Sequence, residues 1–119
     1  MTVPAYSSVA KWYTAGDRAR NIRTIKSAGR ILEFLETVRP TGVMSRPGVP
    51  DLVLSHDMVG GSRLVGNLGA GRFDVRSGRG DLYVAPPNFA NTVGVDISFR
   101  LRSLAFPMAE WKEAIYDAT

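Results

Sequence analysis

The clearest periodicity in the chain lies in residues 92–105. Val93, Val95, Ile97, Phe99 and Leu101 alternate with Thr92, Gly94, Asp96, Ser98, Arg100 and Arg102. A period of two sends successive side chains to opposite faces, so this run predicts one long strand from about Thr92 to Ala105. Residues 51–58 alternate as well. Leu52, Leu54, His56 and Met58 share one face, and Val53, Ser55 and Asp57 share the other. The more apolar set predicts the inward face. Ser62 to Leu68 reads as a short strand, and Phe73 with Val75 marks another. Turns at Gly60-Gly61, Gly69-Ala70-Gly71 and Ser77-Gly78-Arg79-Gly80 separate them. Leu82 to Ala85 is a further strand, entered through Gly80-Asp81 and stopped by Pro86-Pro87, because proline cannot donate to a ladder.

The remaining segments carry weaker patterns. Residues 39–50 hold Pro40, Pro47, Pro50, Gly42 and Gly48, which predicts a loop. In residues 21–39 two templates compete. Ile22, Ile25, Leu32, Leu35 and Val38 fit a helical stripe. Leu32, Phe34 and Val38 fit a strand that Glu36 interrupts. Periodicity alone slightly favours the helix. Residues 1–20 are polar and irregular and read as an arm, which Trp12 and Tyr13 pin to the rest of the protein. After Pro107, the i, i+3, i+7 spacing of Met108, Trp111 and Ile115 predicts a short helix to about Asp117.

Several short strands with Gly/Pro turns predict an all-β sandwich or barrel, and closure into a jelly-roll barrel hides the sheet edges. A length of 119 residues suits one domain. No apolar run approaches the ~18 residues of a membrane helix. The N-terminal segment has neither a basic start nor an apolar stretch, so neither a signal peptide nor a membrane partner is expected, and a cytoplasmic location is.

Charge and residue chemistry narrow the function. With no cysteine and one histidine, thiolate metal sites and multi-imidazole metal sites are excluded. The net charge of +4 is concentrated in residues 11–46, which carry Lys11, Arg18, Arg20, Arg23, Lys26, Arg30, Arg39 and Arg46 against Asp17, Glu33 and Glu36. Such a third could meet phosphate, but a solvated basic face is the simpler reading. Gly66, Gly69 and Gly71 are in the wrong order for a dinucleotide fingerprint and read as turn glycines. Arg79-Gly80-Asp81 spells an adhesion tripeptide but serves better as a turn. Ser55 and Asp57 flank His56, yet strand neighbours face opposite ways, so no triad forms there. Glu33 and Glu36 meet on a helix but not on a strand.

Gly80-Asp81-Leu82-Tyr83-Val84-Ala85-Pro86 resembles the second half-motif of the cupin barrel. In that family the pattern continues to a glycine and then a metal-binding histidine, where this chain has Asn88 and Asn91. Together with the arm, the Val38-Arg39-Pro40-Thr41-Gly42 turn and the Leu104-Ala105-Phe106-Pro107 run into a helix, the chain resembles the N-terminal effector-binding domain of AraC-type transcription regulators. The resemblance implies a cupin-like jelly roll over residues 21–119, with a strand near 30–38 and a short C-terminal helix. It also implies a small-molecule effector, a homodimer formed by helices after the barrel, and DNA contact only through a C-terminal domain that this sequence, ending at Thr119, does not contain. The chain is then a fragment, a truncated product or a stand-alone sensor. A metal-free barrel without a cofactor is expected, acting as a sensor and not an enzyme. Its ligand would meet His56, Met58, Phe73, Leu82, Val84 and Asn91. A stand-alone small-molecule-binding protein, a small enzyme and a basic nucleic-acid-binding module are the alternatives.

Overall fold

A computed structural model describes residues 6–118. Residues 1–5 of the arm and Thr119 lie outside the described residues.

The described part of the arm, from residue 6, is ordered rather than irregular. Helix α1 spans Val9–Thr14, capped by the Ser8 hydroxyl, which accepts from the Lys11 N–H at 3.1 Å. Six residues are too few for a helix that stands alone. Packing holds it: Val9, Ala10 and Trp12 are buried. Asp51 supplies a second anchor, its Oδ2 accepting from the Val9 N–H at 2.8 Å. Arg18, in the 3-10 turn Gly16–Asn21 that follows, lies over the Trp12 ring at 4.6 Å and donates to the Trp12 carbonyl at 2.8 Å.

The ambiguous segment is a hairpin. Strands β1 (Ile22–Ala28) and β2 (Leu32–Arg39) pair antiparallel around Gly29, whose φ of +61° suits a tight turn. Glu36 does not break the pattern of β2, because its face points out. There it meets Arg102 at 3.4 Å and Arg100 at 3.8 Å, while Leu35, Thr37 and Arg39 are buried on the opposite face.

Residues 39–50 are not all loop. They contain β3 (Gly42–Arg46), which pairs with β8 (Asn91–Val95). The chain continues through β4 (Asp51–Asp57), β5 (Arg63–Asn67), β6 (Arg72–Arg76) and β7 (Leu82–Ala85) before β8, then β9 (Phe99–Pro107) and α2 (Met108–Ala118). One sheet has the order β1-β2-β9-β4-β7 and the other β3-β8-β5-β6, with all pairs antiparallel. Two facing antiparallel sheets and a short C-terminal helix make a jelly roll.

The long strand expected from Thr92 to Ala105 is two strands. β8 belongs to one sheet and β9 to the other, and the chain changes sheet at residues 96–98. Asp96 fixes the corner by accepting from the Arg63 N–H at 2.7 Å, and Ser62 donates to the Ile97 carbonyl at 2.7 Å. Ile97 is thereby turned out and is 56% exposed, whereas Val93, Val95 and Phe99 remain in the core.

Gly66 is not a turn residue either. It lies within β5, where a Cβ would collide with the Thr92 carbonyl oxygen of β8. Helix α2 begins as predicted after Pro107. Trp111 packs edge-on against Phe106 with centroids 5.8 Å apart, and its indole N–H donates to the Ile31 carbonyl at 2.6 Å. Ile115, the third member of the predicted face, is exposed.

Candidate functional site

The two sheets enclose a cavity of about 80 Å³. Its lining is largely apolar, with Leu35, Val53, Leu64, Phe73, Val93 and Phe99 among the side chains. Helix α1 contributes Val9, Trp12 and Tyr13 to the lining. The polar groups on the wall are Tyr13, Arg39, Arg46, Asn91, Ser55, Ser103 and Tyr83.

Strand alternation accounts for each position. Arg39 ends the inward series Leu35, Thr37, Arg39 of β2. Arg46 ends β3 and sits directly opposite Asn91, the first residue of β8. With its oxygen turned toward Arg46, the Asn91 carboxamide accepts from Nη2 at 2.7 Å and from Nε at 3.3 Å. Arg39 donates through Nη2 to the Val93 carbonyl at 2.9 Å. Ser55 and Ser103 bond each other across the β4–β9 pair at 2.9 Å. The Tyr83 hydroxyl donates to Ser77 at 2.7 Å, and Ser77 in turn donates to the buried Asp57.

The electrostatics are one-sided. Arg39 and Arg46 are each 9% exposed as residues, and no carboxylate lines the cavity. Neither forms an ion pair within 4 Å among the described residues. Desolvation by burial lowers the pKa of both side chains, offset in part by the Tyr13 hydroxyl facing Arg39 and by Tyr13 and Asp51 near Arg46. Arginine stays charged in proteins, so the cavity wall carries two positive charges. Arg46 Nη1 is buried with no hydrogen-bond partner among the described residues. Leaving a buried charged group short of partners costs several kcal/mol by order of magnitude. Just outside this wall, burial raises the Asp51 carboxyl pKa, although the Val9 N–H and Arg46 act against that rise.

The sequence-derived ligand residues divide between two faces. Phe73 and Asn91 line the cavity. His56 and Leu82 do not. They are cross-strand partners on the outer face of the five-stranded sheet, in a more open groove of about 380 Å³ with Phe34, Leu54, Arg102 and Leu104. Val84 is on that outer side as well and is 54% exposed. Met58 lies past the end of β4, where its N–H donates to the Arg100 carbonyl at 3.0 Å, and it is not on the cavity wall.

The inward assignment of Leu54, His56, Leu82 and Val84 is therefore corrected, and the reason is polar satisfaction. The inward face of β4 is Asp51, Val53, Ser55 and Asp57. Each polar member has an internal partner: Val9 for Asp51, Ser103 for Ser55, and Ser77 with the Val59 and Gly60 N–H groups for Asp57. Apolar character alone chose the wrong face.

Arg39 and Arg46 were missed as site residues because they were counted with the solvated basic face. Lys11, Arg20, Arg23, Lys26 and Arg30 do lie on the surface. The signal that was available was the i, i+2, i+4 relation of Arg39 to Thr37 and Leu35.

A divalent metal does not fit this donor set. The wall offers amide, hydroxyl and guanidinium groups beside two fixed positive charges, and the lone imidazole is on the other side of the sheet. Asn88 does replace the expected glycine in one respect. Its φ is +68°, the left-handed region that asparagine tolerates, and its N–H donates to the Val49 carbonyl at 2.7 Å.

Several solved structures similar to this chain are described as cupins. The cupin-2 domain protein of Shewanella frigidimarina matches with a TM-score of 0.53 at 12% identity, over 70% of this chain and 76% of that one. A cupin domain from Bordetella pertussis gives 0.54 at 15% identity, over 72% and 93%. The Cnp3 cupin domain of Schizosaccharomyces pombe gives 0.58 at 12% identity, over 77% and 64%. At these identities the likeness is one of fold: the chain has a cupin fold. No protein-family model matches the chain, and no curated protein matches it in sequence. Among the described residues, no helix is long and apolar enough to cross a membrane.

Proposed function

We propose that this chain is a ligand-sensing domain of an AraC-type transcription regulator, binding a small-molecule effector in a metal-free cupin-like barrel. The observation that carries the reading is the composition of the cavity wall: a mostly apolar space between the sheets with a few convergent polar groups, lined in part by α1. Apolar walls with a few placed polar groups are the usual composition of small-molecule sites, which typically start at about 300 Å³; this cavity of about 80 Å³ admits only a very small ligand unless Trp12 or Tyr13 moves aside. A ligand entering there either shares the cavity with Trp12 and Tyr13 or displaces them. Any difference in its affinity for the two arm positions shifts the arm.

The supported pocket residues are Phe73 and Asn91 from the sequence reading, joined by Tyr13, Arg39 and Arg46. The domain works by binding and not by catalysis. DNA would be met only through a further C-terminal domain, and α2 would begin the helices that pair in a homodimer.

A thermal-shift screen of metabolites on the purified chain, followed by the structure of a complex, tests the sensor half. Ligand inside the barrel with a changed α1 supports it. Ligand on the outer groove alone, or none at all, ends it. Reading the native gene past Thr119 for a helix-turn-helix region tests the regulator half against a stand-alone binding protein.

A further inference from the structure

We infer that the barrel interior is a carboxylate site, in which the anionic head of a compact, otherwise apolar acid is held by Arg46 and Arg39. This deepens the small-molecule reading above and rests on it.

Three observations converge. First, Arg46 is nine-tenths buried on the cavity wall, with Nη1 unpartnered among the described residues and with Nε and Nη2 each donating to the Asn91 oxygen. The Asn91 contact fixes the plane of the guanidinium and leaves one edge for a ligand. Second, Arg39 lies on the same wall, also nine-tenths buried, and is tied by one nitrogen to the Val93 carbonyl. The two charges repel each other, which contributes to the lowered pKa of Arg46. Third, no acidic side chain lines the cavity and neither arginine has an ion pair among the described residues, so the countercharge at Arg46 is limited to Asp51, which acts on it from beyond ion-pair distance.

An oxyanion supplies what is missing. A planar carboxylate matches the guanidinium fork, and charge-assisted hydrogen bonds of this kind are the strong ones. The rest of the wall selects the other end of the ligand. Leu64, Phe73 and Phe99 offer no donors to a polyol, and the Ser55, Ser103 and Tyr83 hydroxyls on the wall are already engaged, the two serines with each other and Tyr83 with Ser77. A cavity of about 80 Å³ suits a short acid.

The test uses the whole chain and paired probes: acetate, butyrate and benzoate, each against its neutral amide, with inorganic phosphate as a separate arm, all at one ionic strength. Thermal shift and calorimetry read affinity, and the side-chain Nε–H resonances of arginine read location. At least one acid is expected to raise the melting temperature with concentration, to bind about tenfold or more tightly than its amide, and to move the Arg46 resonance. Arg46→Gln keeps a donor for Asn91 and should erase the preference for acid over amide. Arg46→Lys, which keeps the charge without the fork, should retain part of it. Because the resonances are read on the unaltered protein, a variant that fails to fold does not decide the matter. Equal binding of an acid and its amide in the cavity, or binding of phosphate alone, overturns the carboxylate assignment and leaves the small-molecule barrel standing. If no probe and no screened metabolite enters the cavity, both fall together.

Discussion

Arg46 and Asn91 are register partners across the β3–β8 pair, and the asparagine carboxamide accepts two hydrogen bonds from the buried guanidinium. One strand lies in a segment with the composition of a loop. The other begins three residues after the left-handed Asn88. The pair therefore joins the two least regular parts of the chain at the wall of its cavity.

Asn91→Ala takes the acceptor away and leaves Arg46 with further buried, unmade hydrogen bonds. We expect a loss of about 1–3 kcal/mol, the cost of orphaning a buried polar partner. Urea denaturation at neutral pH measures it. An unchanged midpoint would show that water or another residue already satisfies Arg46.

Trp12→Ala tests whether α1 is part of the cooperative fold. Trp12 is 3% exposed and lines the cavity. Removing a large buried aromatic costs about 3–5 kcal/mol. The unfolding midpoint should drop accordingly, and protease sites within residues 9–14 should become accessible. If the arm is cut while the midpoint stays put, α1 docks independently of the barrel.

Gly66→Ala places a methyl group against the Thr92 carbonyl. Backbone cannot yield as a flexible side chain can, so β5 and β8 must separate. Overpacking of this kind costs about 1–3 kcal/mol. Amide exchange should quicken at residues 64–67 and 92–95 in particular. Faster exchange confined to the other sheet would contradict this account of the glycine.

Stability should fall as pH rises from about 4 toward neutrality, the range above the ordinary carboxyl pKa. Burial raises the Asp51 pKa in the folded state, so the folded chain holds that proton more tightly than the unfolded one. The contribution is complete below the unfolded pKa and is lost as pH climbs through the folded value. Glu33, raised first by burial and then by Asp51, acts in the same sense. Asp51→Asn keeps an acceptor for the Val9 N–H and should flatten the slope of melting temperature against pH. Parallel slopes for the two proteins would remove Asp51 as the cause.

The sequence by itself determined most of the strands, the turns between them, the jelly-roll class and the C-terminal helix. Those features follow from local rules: alternation, glycine and proline placement, and helical spacing. Phe73 and Asn91 were also legible as inward residues. Only the tertiary structure decided which face of β4 and β7 is inside. A strand pattern has two faces, and here the inward one holds Asp51, Ser55 and Asp57, each satisfied by a partner distant in sequence. Only the tertiary structure divided residues 92–105 between two sheets, because the corner is held by Ser62 and Arg63 and not by anything local. It alone took Arg39 and Arg46 from an apparently solvated basic run into the cavity. A charge run in sequence says nothing of burial. Burial depended on pairing β3 with β8 and β2 with β9, contacts that span about half the chain.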